Sequence, residues 1–119
     1  MEKVDGIGGI FFRAVDPAAL SRWYETHLGI NPAPKNMEMK PWVSNKGVTV
    51  FSPFNQETDY FSSNHQFMLN FRVRNIDAMV SQLRNAKISI DREETMEGVG
   101  RFARIHDPEG NPIELWQPE

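Results

Sequence analysis

The chain nearly repeats itself, and that repeat constrains its architecture more than any other feature. Val48-Thr49-Val50-Phe51-Ser52-Pro53 returns as Ile113-Glu114-Leu115-Trp116-Gln117-Pro118. Phe12-Arg13-Ala14 returns as Phe71-Arg72-Val73, and each copy runs into a helix-start pattern. Two copies of a unit about half the chain long imply a two-fold related architecture, which sets equivalent side chains around one shared cavity.

Local signals give each copy its elements. Gly8–Val15 alternates as a strand, with Ile10, Phe12 and Ala14 on one side. Asp16-Pro17 reads as an N-cap with proline at the first helical position. Leu20, Trp23, Tyr24 and Leu28 follow the helical period, and Gly29 closes that helix. Residues 30–38, with Pro32 and Pro34, read as irregular or edge structure. Met39–Ser44 and Gly47–Ser52 read as a hairpin turning at Asn45-Lys46-Gly47. Phe54–Gln66 is polar with Phe54, Tyr60 and Phe61 interspersed, a connector that could fold over a pocket mouth. In the second copy, Phe67–Val73 is the opening strand and Asn75 the cap. Ile76, Met79, Val80, Leu83 and Ala86 make one helical stripe, and Ile88–Ile90 a short strand. Gly100–Ile105 and Pro112–Trp116 form a hairpin around Asp107-Pro108-Glu109-Gly110-Asn111. The unit is β-α-β-β-β written twice, predicting an α+β protein of two βαβββ modules, a cup-shaped mixed sheet with helices on the outside. Length predicts one domain over 1–119, with modules near 1–60 and 61–119.

Composition excludes several functions. The chain has no cysteine, so no disulfide, thiolate metal site or thiol nucleophile. Formal net charge is −3 and the basic residues form no stripe, which argues against a nucleic-acid partner. No apolar run reaches the roughly 20 residues of a membrane span, and the charged start Met1-Glu2-Lys3-Val4-Asp5 has no signal core. These features fit a cytoplasmic protein with no membrane partner. Nucleophile-elbow, phosphate-loop, H-E-x-x-H and dinucleotide signatures are absent.

Period-2 alternation sorts the strands into two faces. Ile10/Phe12/Ala14, Val48/Val50, Leu69/Phe71/Val73 and Ile113/Leu115 should pack on the helices. The other face carries Gly9/Phe11/Arg13, Thr49/Phe51, Met68/Asn70/Arg72 and Glu114/Trp116, mixing polar groups with large aromatics. Such a face suits a ligand cup or a subunit interface. Arg13 and Arg72 could clamp an anion or pair with surface acids. Trp42, Phe51 and Trp116 could stack on a planar ligand or simply pack. His27, His65 and His106 have no spacing that converges on a metal; His65, in the connector, is the one able to swing inward.

Phe12-Arg13-Ala14-Val15-Asp16 leading into Leu20, Trp23-Tyr24 and Leu28-Gly29-Ile30, with the ending Asp107-Pro108-Glu109-Gly110-Asn111-Pro112-Ile113-Glu114-Leu115, resembles the vicinal oxygen chelate superfamily of glyoxalases, bleomycin-resistance proteins and extradiol dioxygenases. The resemblance implies a divalent metal held by one residue from each of four strands, stabilising an enediolate or similar anion. The matching positions here are Gly9, Thr49, Met68 and Glu114, of which only Glu114 is a competent hard-metal ligand. The expectation is therefore a small-molecule binder of the glyoxalase/bleomycin-resistance type that holds no metal or other cofactor. Glu114 is its candidate general base or ligand anchor. Phe11, Arg13, Thr49, Phe51, Met68, Asn70, Arg72 and Trp116 are its candidate ligand contacts. The alternative is a glyoxalase-like lyase or isomerase, or a dioxygenase, with a degenerate or rearranged metal site. A third possibility is a non-catalytic dimerising module whose cup its own side chains fill. The resemblance also implies a homodimer.

Overall fold

The computed structural model describes residues 1–119 and contains two helices and four strands. In chain order these are α1 (Pro17–Leu28), β1 (Leu69–Arg72), α2 (Ile76–Asn85), β2 (Arg92–Met96), β3 (Gly100–His106) and β4 (Pro112–Pro118). The sheet order is β1-β4-β3-β2, with β1 parallel to β4 and the other pairs antiparallel. The protein is thus α+β, with a mixed open sheet.

Both helices start as their caps dictate. Asp16 accepts a hydrogen bond from the Ala19 amide at 3.0 Å, and Asn75 accepts one from the Ala78 amide at 3.0 Å. Gly29 ends α1 in the left-handed region at φ 72°, a conformation glycine adopts without Cβ strain. Leu20 and Tyr24 of α1, and Ile76, Val80 and Leu83 of α2, are buried against Ala103, Ile105, Ile113 and Leu115 of the sheet. One sheet face therefore packs on both helices and leaves the other for the site.

The β3–β4 turn is tied to α1 by carboxylates. Asp107, only 5% exposed, accepts from the Glu109 amide (2.9 Å), the Asn111 amide (3.0 Å), Asn111 Nδ2 (2.8 Å) and the Tyr24 hydroxyl (2.7 Å). Burial, reinforced by the Asp107 bond and charge, pushes the Tyr24 phenol far above its ordinary range. Glu109 accepts from the Val15 amide at 2.7 Å and the Asp16 amide at 3.0 Å, so the entry to α1 is also held by this turn.

Some expected strands are absent. Gly8–Val15, Met39–Ser44 and Gly47–Ser52 form no strand, although Phe12 and Ala14 still pack on the core. Ile7, Ile10, Phe11, Val15, Val43, Val48, Val50 and Phe51 are exposed. These segments pair with no strand, although the outer edge of β1 is open, and a strand without a partner leaves its ladder groups open. Ile88–Ile90 is not a strand either: Ile88 and Ile90 pack against the core, and the ladder begins where the Asp91 amide bonds Arg104 O at 2.8 Å. The strand that follows, Arg92–Met96, is an edge strand rich in charge, a composition that discourages further pairing.

Candidate functional site

Strand register builds the site as two rows across the uncovered face. Asn70 on β1 stands opposite Glu114 on β4, Glu114 opposite Arg104 on β3, and Arg104 opposite Arg92 on β2. The next row is Arg72, Trp116, Phe102 and Glu94. Phe102 and Trp116 stack nearly parallel, centroids 6.1 Å apart, and Trp116 Nε1 donates to Val99 O at 3.0 Å. Close approach at this end requires Gly100, with φ at 137°: a Cβ there would meet Gln117 O at 2.2 Å.

Glu114 is the centre of the first row and is 7% exposed. Its Oε1 accepts from Asn70 Nδ2 at 2.8 Å, and its Oε2 accepts from the Tyr60 hydroxyl. Arg104 Nη2 lies 3.9 Å from the same Oε2, within ion-pair range but beyond a hydrogen bond. The Arg104 side chain is 11% exposed, yet its Nε and Nη2 have no hydrogen-bond partner. Tyr60 caps the row. Its ring centroid is 5.0 Å from the Arg104 guanidinium carbon and 5.4 Å from that of Arg92, both within cation–π range. Phe54 packs beside the Tyr60 ring at 5.6 Å. Arg92 is itself paired with Glu94 at 2.7 Å. Burial, then the hydrogen bond to Glu114 and that group's charge, raise the Tyr60 phenol to about 12. A void of about 10 Å³ remains beneath it, roughly the room of one water.

A larger hollow of about 310 Å³ lies elsewhere, bordered by Trp23, Ile88, Asp91, His106 and Asp107. It is wide open. Asp107 is saturated with donors, and the half-exposed Asp91 and His106 satisfy each other at 2.6 Å. The row around Glu114 is the candidate site because polar groups converge there on a buried carboxylate and the nearly buried Arg104 keeps two donors unpartnered.

The residues expected from the sequence divide in two. Asn70, Glu114, Arg72 and Trp116 occupy the two rows, and half-buried Met68 directly precedes β1. Arg72 turns away from Glu114: its Nη2 donates to Asn45 O at 2.9 Å, holding the turn at 44–46. Gly47 lets the Arg72 guanidinium lie close against the backbone, since a Cβ would stand 2.0 Å from Arg72 Nη1 and the side chain would have to shift. Phe11, Arg13, Thr49 and Phe51 lie exposed in the segments without strands and make no hydrogen bond to Glu114. Trp42 packs edge-on against Phe71, on the helix side of the sheet. Sequence reasoning did not single out Arg104. Extending the period of β4 to β3 would have done so, since Phe102 and Arg104 share the face of Trp116 and Glu114. Tyr60 was visible only as an aromatic in the connector.

The four positions matching the superfamily's metal ligands do not fit a divalent ion here. Both Glu114 oxygens already accept hydrogen bonds, Gly9 has no donor, and Thr49 is exposed. No group of three or more His, Cys, Asp or Glu side chains gathers anywhere in the chain. The arrangement can instead read a ligand by hydrogen bonds, with Glu114 as acceptor and Asn70 and Arg104 as donors.

Solved structures place the fold. A lactoylglutathione lyase from Agrobacterium tumefaciens aligns over 98% of this chain and 96% of its own, with TM-score 0.65 and 15% identity. An integron cassette protein from the mobile metagenome of V. Cholerae aligns over 98% of both chains, with TM-score 0.65 and 16% identity. The antibiotic binding protein TnmS3 from Streptomyces sp. CB03234 is 33% identical, but only over 43% of this chain and 41% of its own, with TM-score 0.40. No curated protein sequence matches the chain. The sequence profile of the glyoxalase/bleomycin resistance protein/dioxygenase superfamily matches residues 6–115, and with the paired-module sequence and the shared fold this places the chain as a member of that superfamily.

Proposed function

We propose that the protein is a cytoplasmic small-molecule-binding member of the superfamily that works without the family's metal and as a homodimer. The observation that carries this reading is the state of Glu114: buried, with both carboxylate oxygens bonded to Asn70 and Tyr60. A carboxylate held by neutral hydrogen-bond donors, beside positions holding glycine, threonine and methionine, lacks the companion ligands a cation needs and suits a ligand donor that takes the place of one of its own. No helix is long and apolar enough to cross a membrane.

The homodimer rests on the unpaired first half. Phe11 and Phe51 are 94% and 87% exposed, and Val48 and Val50 about two-thirds, apolar side chains that a partner surface would cover. The radius of gyration, 15.2 Å, exceeds the about 13.5 Å expected of a compact chain this long. A second copy of the chain would pair these segments and wall the cup with Phe11, Arg13, Thr49 and Phe51.

The test is metal analysis of protein purified without chelator, with a thermal-shift screen of aromatic, acidic and peptide-like compounds. The expected result is no stoichiometric divalent ion and at least one stabilising compound whose effect is lost in Glu114→Gln. A stoichiometric metal released by Glu114→Gln would overturn the reading. Sedimentation should give a dimer, weakened in Phe51→Lys; a monomer at all concentrations would remove the dimer.

A further inference from the structure

Tyr60 reaches Glu114 from a connector whose other hydrogen bonds are all local. They run between Thr58 and Asn55, Glu57 and Asn55, Tyr60 and Thr58, His65 and Ser62, and Asn64 and Ser62. The single long-range hydrogen bond of residues 54–66 is the one from the Tyr60 hydroxyl to Glu114. A side chain held by one such bond and two cation–π contacts can leave without unfolding any helix or strand.

What Tyr60 covers is incomplete without it and incomplete with it. Under the ring only about 10 Å³ is free, so nothing of ligand size enters while Tyr60 stays. Yet Arg104, its side chain 11% exposed, keeps Nε and Nη2 without an acceptor. These two atoms form one edge of the guanidinium fork, whose parallel N–H groups take oxygen acceptors. Leaving them buried and unmade carries the full desolvation cost.

Charge decides which acceptor fits. The Arg104 charge faces Glu114 at 3.9 Å, and the Arg92 charge is paired with Glu94 at 2.7 Å. No net positive charge is left for an anion, and a ligand carboxylate would sit beside that of Glu114. A neutral carbonyl oxygen meets the Arg104 edge without this repulsion.

We propose that Tyr60 is a resident stand-in for the ligand, and that the ligand is a neutral hydroxyaryl carbonyl compound that displaces it. Its ring takes the place of the Tyr60 ring against Arg104 and Arg92. Its phenolic hydroxyl donates to Glu114 as the Tyr60 hydroxyl now does, and its carbonyl oxygen accepts from Arg104 Nε and Nη2. This rests on the small-molecule-binding reading above and names the ligand class for that site.

The probe is 3-hydroxybenzamide, in which hydroxyl and carbonyl cannot bond each other, with phenol and benzamide as controls. Calorimetric titration of the full chain should show Tyr60→Ala binding 3-hydroxybenzamide about tenfold more tightly than wild type, because no resident hydrogen bond must be broken. In Tyr60→Ala, phenol and benzamide should each bind about tenfold more weakly than 3-hydroxybenzamide, one partner being absent. Arg104→Gln in that background should reduce 3-hydroxybenzamide to the phenol level and leave phenol unchanged. In the wild-type protein, saturating 3-hydroxybenzamide should move the Tyr60 ring resonances toward those of a solvent-exposed tyrosine. Equal affinity for all three probes, equal affinity of wild type and Tyr60→Ala, or unmoved Tyr60 resonances with probe bound would each overturn the proposal. If that happens while other compounds of the screen bind through Glu114, the small-molecule-binding reading stands and only the ligand class falls. If no compound binds either protein, both fall.

Discussion

The two halves of the chain carry nearly the same pattern and come to different ends. From Leu69 onward every strand has a partner, and two of its faces meet in a core containing Ile105, Ile113 and Leu115. Before Leu69 only α1 is regular, and Val48 and Val50, the counterparts of Ile113 and Leu115, lie two-thirds exposed. Alternation specifies which side chains share a face but not the strand that will pair with them. The second half brings its own partners through the β3–β4 hairpin and the parallel pairing of β1 with β4. The first half pairs with no strand, and the outer edge of β1 stays open.

This contrast can be broken most forcefully in the core. Ile113→Ala should cost about 2–5 kcal/mol of unfolding free energy, whereas its counterpart Val48→Ala should stay within about 0.5 kcal/mol in the monomer. Denaturant unfolding at low protein concentration compares the two, and equal losses would mean that the halves are equivalently packed. Next in size is Asp107→Ala, which removes four accepted bonds and strands the Tyr24 hydroxyl. The expected loss is about 3 kcal/mol, more than for any single polar substitution in residues 39–52, and urea melts measure it. The smallest effect is a pH dependence at Tyr60. Its phenol is raised above the ordinary value of 10.0 to about 12, so the fold favours the neutral form. That contribution is whole below pH 10 and is lost as pH climbs through 12. Tyr60→Phe should flatten this part of the stability–pH curve; an unchanged curve would detach Tyr60 from Glu114.

Legibility in the sequence followed local chemistry. Asp16-Pro17, Asn75 and the Asp107–Asn111 turn act through neighbours a few residues away, and all three do in the structure what their residue types require. Glu114 and Asn70 were readable as face mates from alternation and are bonded at 2.8 Å. Arg92–Met96 was not readable as a strand, because Arg92, Glu93 and Glu94 give no apolar alternation on a charged edge. Tyr60 was unreadable as a Glu114 partner because a connector of turns has no period from which to project a side chain across the fold. Arg72 shows the same limit in reverse: its face was predictable, but the capture of Asn45 O depended on where residues 44–46 came to lie.

The carboxylates of the β3–β4 turn carry one last implication. Through Asp107 and Glu109, α1 is fastened to a hairpin far along the chain, independently of the peptide between them. A protease that nicks the polypeptide among residues 55–65 should therefore yield two fragments that co-elute on gel filtration, held as a non-covalent whole. Separation of the pieces under native conditions would show that the clasp depends on covalent continuity.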